Sequence, residues 1–465
     1  MFYLPSLALP KLVLYFDINK TLIFGDLVKG QSFESSVLAL VTNCVWGLVD
    51  KKTKKWKITV NELQFEKPSK ELINYEDYLE ILYPKLRETD IKDKEKRAQE
   101  KKKNKKIRSD KMNKFVDKGE PGEMFNEAYH AILDKMKIPK DVLDQINDGQ
   151  YGEDLKPLYK SGYNFVFPSL FITMIRLQQQ GRDFSIVFRS FGTDSDCVIK
   201  EFNAFCQGKH PLFNGERLSF PKVYFDGTHG SKNYLVSKEN CSLFYRYSID
   251  IQHISLVVGV TERIKDKPFD LAYEYRDEIE KGKIKVINGG LKIYSFISEN
   301  IISGKYNSFV MGDEYNIWFM NDEKTEYSKV LLNNPYDFSV HQIFFDDNIT
   351  EDEHSIVDCR NIVTGDTMLI EDIWNKFIVK ADSIKAGTDI NYYYDCIERA
   401  ETLRREEQEN FNVTKVYNTT TKKTLEKVIN TGLQLYEEEG KRQSLGEFFG
   451  NYVIANKASI EGLLK

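Results

Sequence analysis

At 465 residues and 54.2 kDa, with 41% apolar and 29% charged residues, the chain can bury a sizeable core and is not of disordered composition. A net charge of −5 speaks against a dedicated nucleic-acid binder, and no apolar run reaches the ~20 residues of a membrane helix. Cysteines 44, 197, 206, 241, 359 and 396 are scattered without a CxxC, which excludes a disulfide scaffold and points to free thiols, and six histidines without ligand spacing exclude a zinc site.

The apolar N-terminus, MFYLPSLALPKLVLYF, lacks a basic flank and a small-residue cleavage site, so it reads as the first strand of the fold. The expected location is cytoplasmic, or nuclear if the basic stretch described below acts as an import signal. Leu12–Phe16 is a β-branched and aromatic run ending on Asp17, the pattern of a buried strand. Ser32–Trp46 has helical apolar spacing, LVDKKTKKWKITV reads as a turn between short strands, and Tyr75–Tyr83 reads as a helix. Lys92–Lys118 carries 13 Lys or Arg against 5 Asp or Glu, a surplus of +8 that leaves −13 for the rest of the chain. With so few apolar residues it is expected to be a solvated helix or mobile loop, dispensable for folding. A nucleic-acid patch is the lesser alternative, since the stretch offers no series of aromatic residues among the charges to stack bases. Met124–Met136 and the segment opening at Pro168 are helical. Gly181 ends the second, and the strand Phe184–Ser190 follows at once, which favours a parallel crossover. Lys222–Phe225, His253–Val260, Lys283–Ile287, Leu291–Phe296, Ser308–Met311 and Lys329–Leu332 are further strand candidates. Val340–Asp347 is a strand tipped by two acids, Asp366–Lys380 reads as an amphipathic helix, and the chain from Ile390 onward reads as charged helices with Arg404–Glu409 solvated.

Three strands therefore end on chemistry: Asp17, Ser190, and the pair Asp346–Asp347. In an open α/β sheet, strand ends of this kind are ligand positions. In these residues the chain resembles the haloacid dehalogenase superfamily, most of whose members transfer phosphoryl groups. The first motif of that family, Asp-x-Asp-x-Thr/Val after an apolar strand, reads Asp17-Ile18-Asn19-Lys20-Thr21 here. The second ends a strand in a hydroxyl, matched by Ser190, and the fourth ends one in an acid pair, matched by Asp346 and Asp347.

The resemblance implies an open, mostly parallel α/β sheet with flanking helices, a Rossmann-like core. The core would comprise residues 1–28 and 165–380, with insertions between 191 and 328. Residues 29–164 would form a cap, and 381–465 a helical extension. It implies Asp17 as the nucleophile that forms an aspartyl-phosphate, and Mg²⁺ held by Asp17, the Asn19 carbonyl, Asp346 and Asp347. Ser190 and Thr21 would lie in the phosphate site, with a lysine offsetting charge. Lys329, which opens the run KVLL, is the first candidate for that lysine and Lys324 the second. The implied substrate is a phosphorylated small molecule or phosphoprotein. Asn19 departs from the family pattern. Phosphatases of the family carry an Asp there as general acid and base, and an amide cannot exchange a proton near pH 7. The expected activity is a slow phosphohydrolase or phosphotransferase. The alternative is a non-catalytic binding protein that keeps the pocket. Asp17 taken alone would suit a turn cap equally well.

Overall fold

A run as continuously apolar as Leu12–Phe16 is stable only in a strand covered on both faces. It forms β1 (Lys11–Asp17), buried along its whole length. The computed structural model describes residues 9–25, 32–86, 90–191, 195–215, 222–246, 248–261, 271–352 and 354–410. The chain divides into two compact units, one holding Met1–Ile18, Phe171–Ala381 and Asn391–Lys465, the other Asn19–Leu170 and Asp382–Ile390. The two units divide after residues 18, 170, 381 and 390, and the short return of 382–390 to the second unit had no signal in the sequence.

In the second unit, β2 (Trp46–Val49), β3 (Trp56–Ile58) and β4 (Ile73–Asn74) form a small antiparallel sheet in the order β3-β2-β4. The helix Phe33–Cys44 precedes it, capped by Ser32, whose side chain accepts from the Ser35 N–H. The basic stretch forms the helix Lys94–Met112, and Lys101, Lys102, Lys103, Lys105 and Lys106 are exposed as expected. Its other side is anchored. Asn104 donates to the Pro84 carbonyl at 3.0 Å and Arg108 to that of Tyr83. Just beyond it Phe115 is fully buried, its ring 4.5 Å from that of Tyr75. The stretch is therefore part of the packing, which corrects the expectation that it is dispensable. A single aromatic among thirteen cations escapes a reading based on average composition.

The first unit holds β5 (Phe184–Ser190), β6 (Cys241–Arg246), β7 (Ile254–Val258), β8 (Lys285–Asn288) and β9 (Ser308–Gly312). After them come β10 (Lys329–Asn333), β11 (Val340–Asp346), β12 (Val357–Asn361) and β13 (Ile378–Lys380). Eight strands make one sheet, in the order β13-β11-β1-β5-β9-β6-β7-β8. It is parallel from β13 to β6, and β7 and β8 add antiparallel at the edge. The fold is thus α/β, a large mixed and mostly parallel sheet flanked by helices, with helices and strands beyond a minimal core. Strands β10 and β12 form a separate parallel pair. On one face of the sheet Tyr15 stacks on Phe344 at 5.6 Å. On the other Phe16 stacks on Phe345 at 4.9 Å, with Tyr393 of the helix Tyr392–Glu409 set edge-on.

Several expected elements differ. Leu291–Phe296 lies in a helix, Gly290–Ile297, not a strand. An apolar run that short fits either state, and here Gly289, at φ 91°, turns the chain out of β8. Lys222–Phe225 pairs with no strand. Asp366–Lys380 holds only a four-residue helix, Ile370–Ile373. The chain then passes Asn375 at φ 55° and enters β13 beside β11. Arg404 is buried rather than solvated. Its guanidinium lies 3.9 Å from the centre of the Phe338 ring and donates to the Pro335 carbonyl. The last part of the expected helical extension, 411–465, lies outside the described residues, as do residues 1–8. No helix among the described residues is long and apolar enough to cross a membrane.

Candidate functional site

Among the parallel strands the chain lays β5, β6 and β9 on one side of β1, then β11 and β13 on the other. Strand order thus reverses between β1 and β11, and the crevice beyond the carboxyl ends of two such strands is where open α/β sheets take ligands. Asp17 ends β1 and Asp346 ends β11, each one residue past the registered pair Phe16–Phe345. Asp17 is 6% exposed and Asp346 fully buried.

Lys329 joins them from outside the sheet. Its ammonium lies 2.5 Å from Asp17 Oδ1 and 2.8 Å from Asp346 Oδ2, and the side chain is 1% exposed. It opens β10, and β10 is held against the large sheet by three side chains. Arg189 donates to the Val330 carbonyl at 3.1 Å, Arg246 to that of Ser328 at 2.7 Å, and Gln342 to that of Leu332 at 2.9 Å. Lys324, the other candidate, is exposed at the start of the turn Thr325–Tyr327 and has no contact with the acids.

Carboxylate oxygens of Asp17, Asp346 and Asp347 lie within 4.8 Å of one another. Asp347 is half-buried. Asp346 Oδ1 accepts from the Asn348 N–H at 3.0 Å, while Asp17 Oδ2 has no protein partner among the described residues. This donor set fits Mg²⁺. It is all hard oxygen, and an octahedral ion with ligands at ~2.1 Å keeps them about 3 Å apart when adjacent and about 4 Å when opposite.

The charges act on one another. Burial pushes the Asp17 carboxyl well above the usual carboxylate range; Lys329 pulls it down, and Asp346 and Asp347 push it up again. For Lys329, burial opposes the charge, but Asp17, Asp346 and Asp313 outweigh it and hold the lysine above its ordinary value. With two carboxylates within 2.8 Å the ammonium stays charged, so any proton the site takes up resides on a carboxyl.

Ser190 ends β5, directly after Arg189, the registered partner of Asp17, and is 4% exposed. Its carbonyl accepts from the Asp313 N–H at 2.8 Å. Asn19 and Thr21 belong to the second unit. There Asn19 bridges to Ile23, and Lys20 takes φ 59° and donates its N–H to the Ile23 carbonyl at 2.7 Å. The first unit thus brings together Asp17, Lys329, Asp346 and Asp347 and sets Ser190 on the adjoining strand.

The sequence reading missed the ion pairs behind the site. Arg189, 1% exposed, grips Asp313 with both prongs at 2.8 and 2.6 Å between the rings of Phe244 and Phe344. Arg246 pairs with Asp358, which also accepts from Arg360 at 2.7 Å. The signal for Arg189 was present. A charged residue inside the buried run FSIVFRS must have a partner. Compared with protein-family models, with curated proteins and with solved structures, the chain finds no match in any of the three.

Proposed function

We propose that the chain is a Mg²⁺-dependent phosphohydrolase or phosphotransferase of haloacid dehalogenase type that works through an aspartyl-phosphate on Asp17. One observation carries this reading. A buried lysine bridges two carboxylates at the ends of adjacent parallel strands, with a third carboxylate beside them, where the strand order reverses. Two buried acids on one amine, with a third acid beside them, hold excess charge that destabilises a purely structural ion pair.

In the proposed reaction Asp17 Oδ2 attacks phosphorus in line with the ester oxygen. The new C–O–P linkage is an acyl phosphate, and the ester bond breaks with its electron pair on the leaving oxygen. Lys329 offsets charge on the phosphoryl oxygens, and the Ser190 hydroxyl donates to one of them. Asp17, Asp346 and Asp347 would hold Mg²⁺, which would supply further positive charge at the phosphoryl group when bound. Water then attacks the acyl phosphate and releases Asp17 and phosphate.

Asn19 decides the rate. Its amide cannot deliver a proton to the leaving oxygen or take one from water, so both come from solvent, and general acid–base help of ~10²–10⁴-fold is absent. That residue also supports the second reading, a binding protein that keeps the pocket without turnover. The test is Asn19→Asp assayed with Mg²⁺ on aryl and alkyl phosphates. Activity should rise by up to ~10²–10⁴-fold, most on the alkyl ester, whose poor leaving group needs the proton. The pair Asp17→Asn with Asn19→Asp should be inactive. Activity that survives loss of Asp17 refutes the mechanism, and inert wild type and Asn19→Asp proteins that still bind phosphate favour the binding reading.

A further inference from the structure

Beside the charge cluster the first unit builds an aromatic wall that the phosphoryl chemistry does not use. Phe191 follows Ser190, and the Lys329 ammonium lies 4.7 Å from the centre of its ring. Phe191 stacks on Trp318 at 5.9 Å, with 15° between the rings, and meets Tyr315 edge-on at 5.6 Å. Tyr315 in turn stacks on Phe319 at 5.8 Å. These last residues belong to the short helix Tyr315–Met320. The helix is not closed over by the core, for Tyr315 and Phe319 are each 43% exposed and Met320 68%. Among the described residues eleven large apolar side chains are this exposed, and three of them fall on these six positions. Scattered exposed apolar residues need no explanation, but a cluster continuous with a site does.

We infer that this wall receives the leaving group, and that the preferred substrates are phosphate esters whose leaving group presents a flat aromatic ring. The inference rests on the phosphoryl-transfer reading above and adds the substrate class. A phosphoryl group held by Ser190 and Lys329 sits against the base of the wall, because Phe191 is bonded to one of those residues and packed on the other. Its ester substituent then reaches the partly exposed rings of Tyr315 and Phe319. An aryl or nucleobase ring gains stacking there, whereas a polyol chain gains nothing and loses hydration.

The experiment uses the full chain with Mg²⁺ and probes that cannot turn over. Binding of inorganic phosphate, benzylphosphonate and propylphosphonate is measured by titration calorimetry. Inorganic phosphate should bind, and benzylphosphonate should bind ~5- to 150-fold more tightly than propylphosphonate, the range that stacking on one aromatic side chain supplies. Tyr315→Ala and Phe319→Ala, at exposed positions and checked for unchanged melting temperature, should each reduce that ratio toward one and leave phosphate affinity as it was. Equal affinity for the two phosphonates, with phosphate bound, overturns the aromatic-substrate inference and leaves the phosphate site standing. A benzyl preference that survives both variants overturns the assignment to this wall. Failure of all three probes to bind overturns the phosphoryl-transfer reading and this inference with it.

Discussion

Replacing Lys329 with Met keeps the volume of the side chain and removes its charge. The variant leaves Asp17 and Asp346, 6% and 0% exposed, facing each other without the ammonium that stands 2.5 and 2.8 Å from them. Removing one partner of a buried ion pair typically destabilises by ~3–5 kcal/mol, a large share of a domain's ~5–15 kcal/mol. The deficit has a built-in pH dependence. Burial already pushes the Asp17 carboxyl up, and loss of Lys329 removes the charge that held it down. A carboxyl raised above its unfolded value binds more protons in the folded state, so the variant is worst near neutrality and recovers as pH falls toward ~4. Magnesium should act in the same sense, adding ~4 kcal/mol at a thousandfold excess over its dissociation constant. Urea unfolding of wild type and variant at pH 5 and pH 7, with and without Mg²⁺, reads all three effects through the midpoint. The exposed Lys324→Met is the control and should stay within ~0.5 kcal/mol of wild type. A Lys329→Met deficit under ~1 kcal/mol, or one independent of pH, would refute the bridging geometry.

The remaining predictions concern the metal, a buried histidine and the basic stretch. Mg²⁺ should raise the melting temperature of the wild type, and Asp346→Ala should abolish that response; an equal response in the variant removes Asp346 from the metal site. His341 is fully buried, its Nε2–H donating to the Lys376 carbonyl at 2.7 Å, and burial lowers its pKa to about 3. The unfolded chain therefore takes up the proton first, so stability is lost between pH 6.5 and about 3, by up to ~5 kcal/mol in total. His341→Leu should show a correspondingly shallower acid limb, and parallel limbs would count against a neutral buried ring. Phe115→Ala should cost about 3–5 kcal/mol, whereas Lys101→Gln, Lys102→Gln and Lys103→Gln should be near neutral; the reverse order would return the whole stretch to solvent.

The strands that carry the chemistry were legible because burial on both faces leaves a plain trace. Leu12–Phe16, Phe184–Phe188 and Ile343–Phe345 are short apolar runs rich in β-branched and aromatic residues, which suit a covered parallel strand. Lys329 was legible only as one of two candidates. What sets it between the acids is the attachment of β10 to the large sheet by Arg189, Arg246 and Gln342, contacts made across 141, 82 and 10 positions. Local pattern holds no record of such contacts. The helix Gly290–Ile297 was misread for another reason. Its eight residues bury Ile293, Tyr294, Phe296 and Ile297, too short and too apolar for periodicity to separate helix from strand. Phe115 was lost to averaging, since composition judged its segment by its charges.

The arrangement of charge around Lys329 argues for a cation and an anion together. Lys329, Arg189, Arg246 and Arg360 carry four positive charges, while Asp17, Asp346, Asp347, Asp313 and Asp358 can carry five negative ones. Behind the site Arg189–Asp313 is neutral, and Arg246–Asp358–Arg360 keeps one positive charge. At the crevice Asp17 and Asp346 share the one charge of Lys329, and Asp347 adds a further carboxylate beside them, a surplus of negative charge that burial opposes. Burial and the neighbouring acids raise the Asp17 carboxyl and so favour its protonated form, against the pull of Lys329. A divalent cation held by Asp17, Asp346 and Asp347 would offset that surplus and favour the ionised form of Asp17, the form that the proposed nucleophile requires. A phosphoryl dianion arriving at the neutralised site then restores the earlier charge, which lies on substrate oxygens within reach of Lys329 and Ser190. On this account metal should bind before phosphate, and phosphate affinity should depend on Mg²⁺. Calorimetric titration of inorganic phosphate with and without Mg²⁺ measures the coupling, and by linkage phosphate must tighten Mg²⁺ by the same factor. Phosphate binding unchanged by Mg²⁺ would mean that the acids serve Lys329 alone.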